Sequence, residues 1–257
     1  MIDDKTRKKI EIMREAGKML GEVLDEVMKA IKPGITELEL DTLAERLILE
    51  KGGEPGFKKV EGYKHTICVS TNEVVVHGIP KDRILKDGDI IGIDCGVYLN
   101  GFHTDMAESI VVGQTDDSNR YKFLETGKNA MYNAIRQAKI GNRVGDISMA
   151  MQDGIENSGY RVVKSLVGHG VGKELHEDPE IPGYLEKDIH STPQLTEGMT
   201  IAVEAIYNMG KPQVEYDGSD DWTIISSDRS LAGLFERTIV ITESGPELIT
   251  YFPNETL

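Results

Sequence analysis

One arrangement occurs twice in this chain of 257 residues: two amphipathic helical segments, then several short runs rich in Val, Ile and Thr. In the first copy Ile10, Met13, Leu20, Leu24, Val27, Met28 and Ile31 fall near a period of about 3.6 residues, and "KPG" stops the helix. "ITELELDTLAERLILEKGG" follows, with Thr36 as N-cap, Glu39 three residues later and glycines at the end. In the second copy "ETGKNAMYNAIRQAKIG" and "DISMAMQDGIENSGY" repeat that order. A shift of 107 residues places Gly34 on Gly141, Leu40 on Ile147, Ile48 on Ile155 and Gly52 on Gly159. Strand-like runs follow each pair: "HTICVSTNEVVVHGIP", "DIIGIDCGVYL" and "FHTDMAESIVVG", then "RVVKSLVGHG", "TIAVEAIYNM", "DWTIISSD" and "LFERTIVIT". The expected architecture is therefore α+β and duplicated, with halves at about 1–117 and 118–257. No linker separates them, so a single pseudo-symmetric domain is expected.

The strands carry acids where apolar residues belong. Asn100-Gly101 is a strong hairpin signal, because a type I′ turn requires positive φ at both central residues. With that turn Asp94 faces Ala107, and Asp105 is diagonal to Asp94 on the same face, roughly 7–8 Å away between α-carbons. Each acid pairs with a Lys or Arg, faces solvent, or shares a cation with the other. Two carboxylates on one buried face repel and are costly to desolvate. Glu204 in "TIAVEAIY" and Glu236 in "LFERTIVIT" repeat the anomaly in the second copy. Duplication would bring all four to the pseudo-two-fold axis, where Arg237 is the one basic neighbour in sequence and hard divalent cations are the natural counter-charge.

Histidines supply the remaining candidates. Glycines 168, 170 and 172 surround His169 in "LVGHGVGKELHEDP", letting the backbone approach closely and the imidazole protrude. Alone it reads as a turn residue; beside four strand acids it reads as a nitrogen ligand. His176 follows seven residues later, so this is not the HExxH zinc helix. His77 closes the apolar run "VVVHGIP". His103, two residues before Asp105, shares its strand face, and geometry alone leaves it open as a ligand. His65 and His190 read as peripheral.

Bulk properties narrow the setting. A formal charge of −15 argues against nucleic-acid binding, which needs a basic footprint. The run "KTRKK" near the start reads as a solvated helix end. No apolar run approaches the roughly 20 residues that span a bilayer, so no membrane association is expected. The charged start lacks the apolar region of a secretory signal. Cys68 and Cys95 are too few for a disulfide framework and read as reduced thiols of a cytoplasmic protein.

"NEVVVHGIP", the Asp94–Asp105 hairpin, "GHGVG…LHEDP", Glu204 and "FERTIVIT" occur together and in order, and over essentially its whole length the chain resembles the type I methionine aminopeptidases. That resemblance implies the pita-bread fold, with a central antiparallel sheet between duplicated αα-β halves. It implies two divalent metal ions (Co, Mn, Fe or Zn) held by Asp94, Asp105, His169, Glu204 and Glu236, and leaves His103 outside the ligand set. Glu204 would shuttle the proton of the attacking water, His176 would hydrogen-bond the scissile carbonyl, and His77 would contact the backbone beside it. Tyr63, Cys68, Leu175 and Trp222 are candidates for the methionine slot by the same resemblance; core packing is their plainer role. The implied substrates are nascent polypeptides beginning with Met, met by a monomer in transient contact with ribosomes.

Two positions depart from the family pattern: Arg237 stands where members commonly have His, and Ala205 where they commonly have Pro. "DCGVYLNGFHTDMAES" leans toward relatives that cleave before proline. Those relatives usually carry an additional N-terminal domain, for which the early first helix leaves no room. The alternatives are an Xaa-Pro-type peptidase of the same fold, a non-enzymatic binding module on it, and creatinase-like metal-free hydrolysis. The filled ligand positions disfavour the last two.

Overall fold

The periodic segments form helices in the computed structural model, which describes residues 2–257. Helix α1 (Asp4–Ala30) starts ahead of its apolar stripe because the Asp3 side chain accepts from the Thr6 N–H at 2.7 Å. Helix α2 (Glu37–Glu50) has the capping box expected of Thr36 and Glu39. Helices α3 (Ser118–Ile135) and α4 (Val144–Glu156) form the second pair.

Strands β1 (Glu54–Pro55), β2 (Ile67–Thr71), β3 (Val74–Val76), β4 (Ile90–Leu99) and β5 (Phe102–Val111) follow the first pair. After the second come β6 (Arg161–Val162), β7 (Val167–Gly170), β8 (Glu177–Pro182) and β9 (Thr200–Asn208). The chain ends with β10 (Val214–Tyr216), β11 (Ile224–Ser226), β12 (Ala232–Thr242) and β13 (Gly245–Leu248). The main sheet runs β1-β4-β5-β12-β9-β7-β8, with β2 also on β4, β6 on β9 and β13 on β12; β10-β11-β3 form a second, small sheet. Every pairing is antiparallel.

The pseudo-two-fold axis passes between β5 and β12, and equivalent backbone features flank it. Gly34 and Gly141 both take positive φ, at 97° and 94°, as do Gly88 and Gly198 ahead of β4 and β9, at 84° and 83°. The Leu85 N–H donates to Ile35 and the Leu195 N–H to Asn142, each at 2.9 Å. β1 and β6 occupy equivalent places beside β4 and β9.

Alternation along the strands divides the sheet into two faces. Ile93, Cys95 and Met106 pack with the buried residues of α1 and α2, and Val203, Ala205 and Phe235 with those of α3 and α4. The intervening side chains, Asp94, Asp105, Glu204 and Glu236, therefore point away from the helices. Across the axis, β5 and β12 pair directly only at Ala107–Glu236 and Met106–Arg237. On either side a hydroxyl enters the ladder. Ser109 Oγ donates to the Leu234 carbonyl at 2.7 Å, and Thr238 Oγ1 donates to the Asp105 carbonyl at 2.9 Å while accepting from the Asp105 N–H at 3.0 Å.

Among the described residues no helix is long and apolar enough to cross a membrane. Strands β8, β10 and β13 lie outside the Val, Ile and Thr runs. β8, "EDPEIP", pairs along one side only, at the sheet edge, where its prolines withhold no ladder hydrogen bond on the free side.

Candidate active site and metal centre

Strand register assembles the acids. Asp94 pairs with Ala107, Ala107 with Glu236, and Glu236 with Glu204, which sets three carboxylates in one row across four strands. Asp105 lies opposite Gly96, one same-face step along, and His169 lies opposite Ala202. The two rows are neighbours on one face of the sheet, and their side chains line a common cleft. Ligand atoms of Asp105, His169 and Glu236 all lie within 4.8 Å of one another. His169 Nε2 stands 3.6 Å from Glu204 Oε1 and 4.0 Å from Asp105 Oδ2.

The glycines around His169 answer to close packing. A Cβ on Gly168 would meet the Ala202 carbonyl, and one on Gly170 the Asp178 carbonyl. His169 Nδ1 lies 2.8 Å from the Gly170 carbonyl oxygen. That oxygen can only accept, so the proton sits on Nδ1 and Nε2 turns its lone pair toward the acids. Burial, then the neighbouring His176, hold the His169 pKa at about 4, so the ring is neutral.

The acids have no basic partner. Neither Lys nor Arg lines the cleft among the described residues. Arg237, adjacent to Glu236 in sequence, projects to the helix side instead. There its buried guanidinium pairs with Glu108 at 2.6 Å and Glu255 at 2.8 Å and donates to the Ala107 and Glu236 carbonyls. Burial lifts all four site carboxyls. Asp105 is brought to about 7, and like charge adds to burial at Asp94, Glu204 and Glu236. Asp94 Oδ1 and Glu236 Oε1 are buried without any hydrogen-bond partner. Orphaned carboxylate oxygens converging with a neutral imidazole are the donor set of a hard or borderline divalent cation, and the residues fit one.

His77 and His176 line the same cleft. β3 ends at Val76, and His77 adopts φ of +56°, an unusual conformation for a residue with a Cβ that throws its ring into the cleft. The His176 ring meets that of His169 edge-on, 4.4 Å between centroids. Burial lowers both pKa values, with His176 also acting on His77, which sits at about 4. Both rings are therefore neutral N–H donors at neutral pH.

Tyr63, Cys68, Leu175 and Trp222 form the apolar end of the cleft. The Tyr63 ring meets Trp222 edge-on at 5.1 Å. Phe57, Val60 and Leu234 also line the cleft and carried no signal in the sequence. Phe57 stands on a short 3₁₀ turn against the backbone of Gly96, a contact only the fold reveals. His103 does not line the cleft; its ring packs on Tyr98, and its backbone N–H donates to the Gly172 carbonyl at 2.7 Å. His190 is exposed, whereas His65 faces the buried Asp41.

A pseudo-symmetric sheet with acids and a neutral imidazole converging in an open cleft defines the class: a metal-dependent hydrolase of the pita-bread fold. The chain belongs to metallopeptidase family M24, whose sequence profile matches residues 11–243, and within it to the methionine aminopeptidases. It is 45% identical over 250 residues to methionine aminopeptidase 1 of Bacillus subtilis, spanning 97% of this chain and 99% of that one. The methionine aminopeptidase of Clostridium acetobutylicum is 43% identical over 251 residues, with the same coverage. The crystal structure of the Thermotoga maritima methionine aminopeptidase superposes with a TM-score of 0.92 at 39% identity, covering 98% of this chain and all of that one.

Proposed function

We propose that this enzyme removes the N-terminal methionine from nascent polypeptides, with Asp94, Asp105, His169, Glu204 and Glu236 holding two divalent ions drawn from Co, Mn, Fe or Zn. The observation that carries the reading is the convergence of four acids, two from each half, Asp105 and Glu236 buried and Asp94 and Glu204 half-buried, with no Lys or Arg side chain among them in the described residues. Bound there, the ions supply Lewis acidity and a water acidic enough to be deprotonated near neutral pH.

The chain's own residues do the rest. Glu204 accepts the proton of the attacking water and passes it to the leaving amine; its place beside His169 and its burial favour a carboxyl that readily holds a proton. His176 donates its N–H to the scissile carbonyl as charge develops there, and His77 hydrogen-bonds the backbone next to it. Tyr63, Cys68, Leu175 and Trp222, with Phe57, receive the methionine side chain and exclude water from it.

We assign the whole chain to one catalytic domain with halves at about 1–117 and 118–257, acting as a cytoplasmic monomer that meets its substrates in transient contact with ribosomes. The test is release of methionine from Met-Ala-Ser after chelation and readdition of each metal separately, with an Xaa-Pro peptide in parallel. Metal-dependent turnover of Met-Ala-Ser alone is expected. Turnover that survives chelation, or cleavage confined to the Xaa-Pro peptide, would overturn the assignment.

A further inference from the structure

Helix α2 carries two buried carboxylates that the proposed reaction does not use. Glu37 and Asp41 lie one helical turn apart and are 4% and 8% exposed. Asp41 Oδ1 accepts from the Thr66 N–H at 2.8 Å and the Ile67 N–H at 3.1 Å, where β2 begins, and Oδ2 stands 3.2 Å from His65 Nδ1. Glu37 accepts from Thr71 Oγ1 at 2.7 Å, where β2 ends, and from the Lys81 N–H at 3.1 Å. Between these anchors lie Cys68 and His77, both lining the cleft.

The Asp41 grip reaches the apolar end of the cleft in two steps. Ile67, whose N–H it holds, offers its carbonyl to the Tyr63 hydroxyl at 2.8 Å. That hydroxyl oxygen in turn accepts from the Cys68 thiol at 3.1 Å. A carboxylate that accepts two backbone N–H bonds is a charge-assisted and therefore stiff anchor. The position 107 residues on in the second half is Ser148, whose hydroxyl donates to Val144 of its own helix. The helix pair as such does not need the acid, which belongs to the half that builds the pocket.

We propose that Asp41 is a positioning residue that sets the width of the side-chain pocket, and with it the choice among straight and branched N-terminal side chains, while Glu37 anchors the far end of the same segment. This rests on the methionine-removing reading given above. The experiment compares kcat/KM for Met-, norleucine- and Leu-Ala-Ser in wild type, D41A and D41N, alongside metal content. D41A should keep its metal and lose about tenfold of the preference for Met over Leu, the scale of one misplaced methylene contact. D41N, which keeps an oxygen for both N–H groups, should fall about threefold, between the two. An unchanged preference, or an equal fall for all three peptides, would overturn the proposal. Should D41A aggregate, D41N decides by the same ratio: a reduced preference supports the proposal and an unchanged one overturns it. Wild-type protein that releases no methionine would overturn the reaction itself, whereas variants that keep the wild-type preference overturn Asp41 alone.

Discussion

Asp105 titrates in a range where metal and proton compete. In the metal-free fold its carboxyl is held at about 7, against an ordinary value of about 3.9 in the unfolded chain. Below about pH 4 both states are protonated and Asp105 costs the fold nothing; as pH climbs from there through 7 the unfolded state ionises first and the contribution of Asp105 to stability drains away. Divalent metal should therefore raise Tm more at about pH 7.5 than at about pH 5.5 by scanning calorimetry. Equal shifts at both would separate the acids from the metal. His176 makes a different prediction. H176A should retain its metal, measured by elemental analysis, yet lose about 10²–10³ in kcat, the cost of one donor to a developing oxyanion. The acids were legible in the sequence because a carboxylate inside an apolar strand is a local anomaly. Asp41 and Phe57 were not, because the partners that give them meaning, Thr66 and Gly96, lie far along the chain.

At the level of elements, the seam between β5 and β12 depends on two hydroxyls. Ser109 and Thr238 stand one same-face position to either side of the Ala107–Glu236 pair and bridge the backbones there. Thr238→Val keeps the shape but strands the Asp105 N–H and a carbonyl lone pair, at a cost of about 1–3 kcal/mol. Urea denaturation should register that loss, and metal titration should register weaker binding, with Thr238→Ser restoring both. A valine variant that binds metal like wild type would reduce the hydroxyl to a structural bridge. The helices were readable from period and caps. β8 and β13 were not, since "EDPEIP" and "GPEL" are strands by virtue of neighbours rather than composition.

For the molecule as a whole, Arg237 ties the end of the chain to the site. Its buried guanidinium bridges Glu108 on β5 and Glu255 beyond the last strand, and Lys128 on α3 closes on Glu108 at 2.6 Å. E255A leaves a buried cation short of a partner and should cost about 3–5 kcal/mol, read as a lowered denaturation midpoint. An exposed pair would lose a fraction of that, so a small effect would show that water reaches the arginine. The duplication itself was legible because the order of the helices recurs and the glycines that end them, Gly34 with Gly141 and Gly52 with Gly159, lie 107 residues apart. The way the halves dock was not, since it rests on side chains more than 100 residues apart.

That docking governs when the protein can begin to work. Asp94 and Asp105 are synthesised first, Glu204 well after them and Glu236 last of the four, on the strand that closes the seam. A polypeptide still missing β12 lacks one of the four acids and the strand that closes the seam, so in each newly made copy the set stays incomplete until that strand has been added.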